Sequence, residues 1–162
     1  MATPMATPPA NRPEDTLAAL GLTLPPAPAP AAAYSTVRID GRHVYLSGHL
    51  AMSEGKVACA GKVGRDIGQT EAYESAQMAC LGMIASLKAR LGELSRVAGF
   101  VKLTVFVNAT EDFGAQPAVA DGASDLLGKV FGPRGTHVRS AVGVASLPFG
   151  ASTEIEAIAL ID

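Results

Sequence analysis

The sequence contains no tryptophan, and only 5% of its 162 residues are aromatic. It therefore has little from which to build a base-stacking surface for nucleic acids. It also has no excess of basic residues, because 13 lysines and arginines stand against 15 acidic residues and the formal net charge is −2. We therefore expect no electrostatic attraction to nucleic acids or to anionic membranes.

Cysteines and long apolar runs are also scarce. The two cysteines, Cys59 and Cys80, share no metal-ligand spacing and cannot form a dense disulfide framework. No run approaches the roughly 18 apolar residues that a membrane-spanning helix needs. The first residues do not combine a basic segment with an apolar one, as a secretory signal does. We therefore expect no membrane segment, no metal site and a cytoplasmic location.

The composition changes after about the first thirty residues. Apolar residues make up 48% of the chain, which is enough for a folded core, and the length fits one domain. Alanine, proline and threonine dominate both ends of residues 1–33, a composition typical of extended, solvated backbone. Between these ends, Pro13 suits the start of a short helix, Gly21 suits its exit, and Leu17 and Leu20 form a small apolar stripe that can dock on the domain. We predict an N-terminal extension over 1–33 and one domain over 34–162.

Within that domain, strand patterns alternate with helix patterns. Period-two polarity and β-branched residues indicate strands, and apolar residues every three or four positions indicate helices. The predicted strands are Thr36–Asp40, Arg42–Leu50, a short strand within 54–63, Val97–Asn108, His137–Ser146 and Thr153–Ile161. The predicted helices are Thr70–Leu91 and Ala115–Phe131. The order ββ(β)αβαββ predicts an α+β two-layer sandwich, in which two helices cover one face of a mixed β-sheet.

The last predicted strand is apolar on both of its sides. Ile158 and Leu160 alternate with Ile155 and Ile161, so each face of the sheet receives large aliphatic side chains. The helices can cover only one of these faces. We therefore predict an oligomer whose subunits cover each other's open sheet face.

The last two predicted strands carry the candidate functional residues. Arg139 is followed along its own face by three small residues, the first of which is Ala141, and small side chains leave a hollow. Glu154 and Glu156 share one face of the final strand. If the two strands form a hairpin that pairs odd with even positions, these carboxylates lie on the same side of the sheet as Arg139.

Two interpretations of this pattern remain open. A hollow beside a permanently charged guanidinium suits a small organic carboxylate, and a nearby glutamate can orient or deprotonate a water molecule. A solvated Arg–Glu pair across the strands gives the same pattern, and such ion pairs are common. The strand pattern alone favours the ion pair.

The same residues also resemble a known family. The run from Arg139 to Ala145, then Leu147-Pro148, then Glu154-Ile155-Glu156-Ala157-Ile158-Ala159, resembles the closing signature of the reactive intermediate deaminase (RidA/YjgF) family. That family is also known as endoribonuclease L-PSP or chorismate mutase-like. Tyr34 and Ser47-Gly48 fit its opening hairpin. The segment before residue 34 resembles an N-terminally extended bacterial subgroup.

The resemblance implies a chorismate mutase-like fold, a homotrimer, and small-molecule clefts between its subunits. It implies hydrolysis of small enamines and imines, of the 2-aminoacrylate and 2-iminopropionate type, to 2-oxo acids and ammonia without a metal or organic cofactor. By the same resemblance Arg139 binds the substrate carboxylate, Glu154 orients water, and backbone groups at Ala141 contact the imine nitrogen. Tyr34 lines the cleft from a neighbouring chain, and His49 lies near it.

Three positions depart from the family pattern. Ala141 stands where well-known members have cysteine, His49 replaces a common glutamine, and Pro117 falls where deaminating members often have asparagine. Two other functions therefore stay open. One is a non-catalytic trimer that binds small carboxylates as a sensor or carrier. The other is the ribonuclease of the older family label, which the acidic charge balance and the few aromatics disfavour.

Overall fold

The computed structural model describes residues 12–29 and 33–162, and it contains one main sheet, a small hairpin and three α-helices. The predicted segment Met1–Ala10 and part of Pro25–Ala33 lie outside the described residues. The strands are β1 (Val37–Asp40), β2 (His43–Leu50), β3 (Met52–Ser53), β4 (Lys56–Val57), β5 (Val97–Asn108), β6 (Val138–Val144) and β7 (Thr153–Ile161). The helices are α1 (Pro13–Ala19), α2 (Gln69–Leu91) and α3 (Gln116–Phe131).

The main sheet has the strand order β1-β2-β7-β5-β6. Its neighbouring strands are antiparallel except β5 and β6, which are parallel because α3 connects them as a crossover. The predicted two-layer α+β sandwich with a mixed sheet is confirmed. The strand expected within 54–63 is instead part of the separate hairpin β3–β4.

Helices α2 and α3 cover one face of the sheet and pack closely against each other. Met83, Leu87 and Leu126 are fully buried between these layers. The helices approach most closely at Gly122, where an added Cβ would lie 3.0 Å from the carbonyl carbon of Tyr73 and would overlap its oxygen. Only glycine fits at this crossing without displacing a helix backbone.

Helix α1 is docked on the domain. Pro13 occupies its first turn, and Gly21 follows it with a φ of +67°, a left-handed conformation that favours glycine. Leu17 belongs to the main core, whereas the predicted docking of Leu20 is wrong, because this side chain is 45% exposed. The Glu14 carboxylate accepts hydrogen bonds from Lys88 Nζ at 2.7 Å and from the Leu94 amide at 2.8 Å. These contacts fix where the chain enters the domain.

The expected hairpin between the last two strands is wrong. Strand β5 lies between β6 and β7 and pairs with both, so Leu103 aligns with Arg139 on one side and with Ala157 on the other. Positions 139 and 157 therefore share a face, whereas Glu154 and Glu156 point to the opposite face. The turn at Pro148–Gly150 leads β7 past β6 instead of folding it back onto β6.

The second face of the sheet has no helix across it in the described part of the chain. One row of this face, read across β2, β7, β5 and β6, consists of Tyr45, Ile158, Lys102 and Val138. Tyr45 is 43% exposed and Val138 is 65% exposed. This open face therefore mixes large apolar side chains with charged ones.

Candidate functional site

The Arg139 guanidinium is held in a fixed position by α3. Its Nη1 donates to Asp121 Oδ1 at 2.8 Å and to Ser124 Oγ at 3.0 Å, and its Nη2 donates to the Pro117 carbonyl at 3.3 Å. These bonds use three of the five N–H groups of an arginine. Within the described residues, Nε and one Nη2 proton keep no protein partner. Together they form an edge that can bind a carboxylate through two parallel hydrogen bonds.

The hollow expected beside Arg139 is displaced along β6. A cavity of about 740 Å³ is lined by Gly143 and Ala145 but not by Arg139, because α3 covers the first half of the strand. The Gln116 side chain lies above Gly143, 3.0 Å from where a Cβ would stand. Lys62 Nζ donates to the Ala145 carbonyl at 2.7 Å and occupies the far end of this cavity.

Glu154 lies on β7 opposite a bulge in β2. The register of the two strands shifts between Leu46 and His49, and the Glu154 side chain lies over Gly48 inside that shift. A Cβ on residue 48 would lie 2.8 Å from the Glu154 Cδ and would overlap its carboxylate oxygen. The carboxylate can occupy this place only because residue 48 has no side chain.

The surroundings of Glu154 favour its protonated form. Burial raises the pKa of the half-buried Glu154 carboxyl, and the neighbouring Glu156 carboxylate raises that pKa further. The start of β7 is anchored to α2 by a buried hydroxyl cluster, in which Thr153 Oγ1 and Ser75 Oγ are 2.6 Å apart and Ser152 donates to Ser75 at 2.9 Å. Glu154 thus combines a fixed backbone with a carboxyl that accepts a proton more readily than an exposed one.

His49 is buried on the helix side of the same bulge. Its Nδ1 donates to the Ser47 carbonyl at 2.7 Å, because a carbonyl can only accept, and its Nε2 then accepts from the Ser86 hydroxyl at 2.8 Å. Burial lowers the pKa of the imidazole, which favours the neutral ring. His49 therefore bonds within the bulge through Nδ1 and to α2 through Nε2, and its role in substrate binding stays a prediction.

Tyr34, His49 and Glu154 line one cavity of about 400 Å³. We call it the arm cavity because the proline-rich arm, residues 25–29, forms one of its walls. Its remaining walls come from the residue before β1, from α2, from β2 with the start of β3, and from the turn before β7. They are Thr36, Gly48, Leu50, Met52, Met78, Gly82, Pro148 and Phe149. The structure thus brings together three of the predicted site residues within one chain.

Arg139 and Ala141 form a second group, separate from the arm cavity. They lie on the helix-covered face of β6, whereas Glu154 aligns with Phe106 and Val142 on the open face. Neither Arg139 nor Ala141 lines the arm cavity. A single chain therefore presents two separate groups, an arginine with an available edge and a half-buried carboxylate.

Sequence reasoning missed the residues that hold Arg139. Pro117, Asp121 and Ser124 follow one another at helical spacing on α3, so their common face was readable from the sequence. Nothing in the sequence indicated that this face meets Arg139, because that contact depends on how β6 pairs with β5. The sequence also did not indicate that Met78 and Gly82 line a cavity, because that depends on how α2 packs against the other elements.

Two further observations concern the described residues, 12–29 and 33–162. In that part of the chain, no three His, Cys, Asp or Glu side chains are placed to hold a metal ion. No helix described there has the length and apolar character needed to cross a bilayer.

Comparisons with known proteins support a family assignment. The family described as "YjgF/chorismate mutase-like, putative endoribonuclease" matches residues 14–158. Protein TCP17 of Trypanosoma cruzi is 42% identical over 86% of this chain and 88% of its own length. A 2-iminobutanoate/2-iminopropanoate deaminase of Dermatophagoides farinae is 33% identical over 87% of this chain and 95% of its own.

A solved structure has the same fold. A protein of unknown function from Agrobacterium tumefaciens superimposes with a TM-score of 0.87 at 44% identity, covering 93% of this chain and 92% of that one. The family match over residues 14–158 includes both Arg139 and Glu154. On these grounds, the chain belongs to the YjgF/chorismate mutase-like family.

Proposed function

We propose that this protein hydrolyses small 2-imino acids and their enamine tautomers, of the 2-iminopropanoate and 2-aminoacrylate type, to 2-oxo acids and ammonia. The reaction takes place in clefts between the subunits of a homotrimer, and it uses no metal or organic cofactor. The Arg139 group of one subunit and the Glu154 group of its neighbour together form each cleft.

The observation that carries the proposal is the complementarity of these two groups. The available edge of Arg139 fits the carboxylate that every 2-imino acid bears, and Asp121, Ser124 and Pro117 hold the guanidinium in place before a ligand arrives. Glu154 supplies a carboxylate that can take a proton from water. A relative named as a 2-iminobutanoate/2-iminopropanoate deaminase is 33% identical over 87% of this chain, which supports the same class of reaction.

The chemistry needs only water and a shuttled proton. Glu154 accepts a proton from water as the water oxygen forms a bond to the imine carbon. The imine nitrogen takes that proton, which gives the carbinolamine; Glu154 then moves the hydroxyl proton to the same nitrogen as the carbon–nitrogen bond breaks, so that ammonia leaves and the 2-oxo acid forms. A raised pKa suits Glu154 to this task because the carboxyl must both accept the proton and return it.

The open sheet face and Tyr34 support assembly into a trimer. Tyr34 is 50% exposed, and Tyr45 and Val138 expose apolar surface on the open face. Burial of such surface between subunits is favourable. Such packing would also place residues of one subunit against β6, the edge strand in the sheet of the neighbouring subunit.

The test is the release of 2-oxo acid from an imine generated in the cuvette. An amino-acid oxidase or dehydratase supplies the imine, and the protein is expected to accelerate its hydrolysis over buffer. Arg139→Ala should abolish this acceleration. Arg65→Ala is the matched control, because Arg65 is 65% exposed and pairs with its neighbour Asp66. Equal rates with and without the protein would refute the proposal, and stabilisation by pyruvate without turnover would instead indicate a carboxylate carrier.

A further inference from the structure

The arm cavity is larger and more apolar than the proposed small substrate requires. Its volume of about 400 Å³ falls in the range of roughly 300–1,000 Å³ that is usual for pockets holding drug-sized molecules. Met52, Met78 and Phe149 line it, and among the described residues Glu154 is its one carboxylate. A substrate with a single methyl side chain would leave most of this space unfilled.

One wall of the cavity comes from the arm that follows α1. Leu22 and Leu24 pack against the core and direct the chain toward the cavity, where Pro25, Pro26 and Pro28 line it. A proline-rich segment is stiff and extended, so it forms a preorganised wall at little further cost in entropy. The docked α1 fixes the start of this arm.

Glu154 connects the arm cavity to the proposed reaction, because its carboxylate both lines the cavity and accepts the proton from water. When the imine carbon lies beside the Glu154 carboxylate and the substrate carboxylate is held by Arg139, the substrate side chain is the group left to enter the arm cavity. Methionine side chains adapt to aliphatic and aromatic groups of different shape. The walls therefore favour large apolar side chains.

We propose that the arm cavity binds the side chain of the substrate, so that the preferred substrates are 2-imino acids with branched aliphatic, thioether or aromatic side chains. This inference rests on the proposed function and extends it to a substrate class. Filling an apolar pocket changes kcat/KM by about tenfold or more per added group. We expect at least that preference for 2-imino-4-methylpentanoate over 2-iminopropanoate.

Gly82 offers a direct way to fill the cavity. It lies on α2 in the cavity wall, and a Cβ added there meets no atom within 4 Å. Gly82→Leu therefore projects bulk into the cavity from an unobstructed Cβ, and Gly82→Ala fills less of it. Gly128→Leu is the control, because Gly128 is an exposed position of α3 where a Cβ is also unobstructed.

The experiment measures kcat/KM for both imines and, by calorimetry, the binding of pyruvate and of 2-oxo-4-methylpentanoate. We expect Gly82→Leu to lower turnover and binding of the larger compounds about tenfold or more relative to the smaller ones. Gly82→Ala should be intermediate, and Gly128→Leu should match the wild type. Wild-type preference for the smaller compounds, or an equal loss for both sizes in Gly82→Leu, would overturn the inference.

The two readouts separate this inference from the proposed function. Hydrolysis of both imines without a size preference would refute the side-chain cavity and leave the deaminase proposal standing. Selective binding of the larger 2-oxo acid without any turnover would support the cavity and refute the deaminase proposal. A change of oligomeric state in Gly82→Leu, seen by sedimentation, would show that a second copy of the chain occupies the cavity and would also overturn the inference.

Discussion

Replacing Gly48 by alanine should lower the catalytic rate with little effect on the stability of the fold. The new Cβ would lie 2.8 Å from the Glu154 Cδ, whereas two carbon atoms in contact lie about 3.5–4.0 Å apart. The Glu154 side chain must therefore shift by about 1 Å. Because its far end is flexible, the side chain moves and the backbone stays. A misplacement of about 1 Å in a catalytic group can cost on the order of 10²-fold in rate.

We therefore expect Gly48→Ala to lower kcat/KM for 2-iminopropanoate by about 10²-fold with little change in melting temperature. Gly99→Ala is the matched control on β5, because the nearest atom to a Cβ there is the Arg134 carbonyl oxygen at an ordinary 3.7 Å. Thermal unfolding and steady-state kinetics of both variants provide the measurement. Wild-type kinetics in Gly48→Ala would refute the claim that Glu154 acts from this position.

Three further changes have defined expectations. Gly122→Ala should lower the free energy of unfolding by about 1–3 kcal/mol in denaturant titrations, because the added Cβ overlaps the backbone of α2. Asp121→Asn should weaken pyruvate binding by up to about fivefold in calorimetry, because the variant loses the ion pair that holds the Arg139 guanidinium in place. Burial and the Glu156 carboxylate raise the pKa of Glu154 in the folded state. The stability gained from the bound proton is therefore present below the pKa that Glu154 has in the unfolded chain, and it is lost as the pH rises through the raised pKa of the folded state. Glu154→Gln should therefore raise the melting temperature at neutral pH and change it little in acid; an equal change at both pH values would contradict this.

The fold could be predicted from the sequence where its determinants are local. The alternating residues of β7, the valine-rich β5 and the apolar stripe of α2 each form the expected element, and Gly92 ends α2 with a φ of +82°. These patterns depend on which side of one element is buried. They do not depend on which strand is its neighbour.

The arrangement of the site could not be predicted because it depends on strand partners. The turn before β7 resembles a hairpin, but β5 takes the place between β6 and β7. That insertion places Arg139 and Glu154 on opposite faces of the sheet. Arg139 and Glu154 could be identified as candidate site residues from the sequence. Their separation into two groups could be seen only from how the strands pair in the structure.

Mixing two inactive variants is the most direct test of a site shared between subunits. Arg139→Ala and Glu154→Gln homo-oligomers are each expected to be inactive. When they are unfolded together at equal amounts and refolded, a ring of three subunits should regain intact Arg139–Glu154 clefts at about one site in four. Recovery of about a quarter of wild-type 2-oxo acid release would support the account. No recovery, in a mixture shown by mass spectrometry to contain hetero-oligomers, would contradict it.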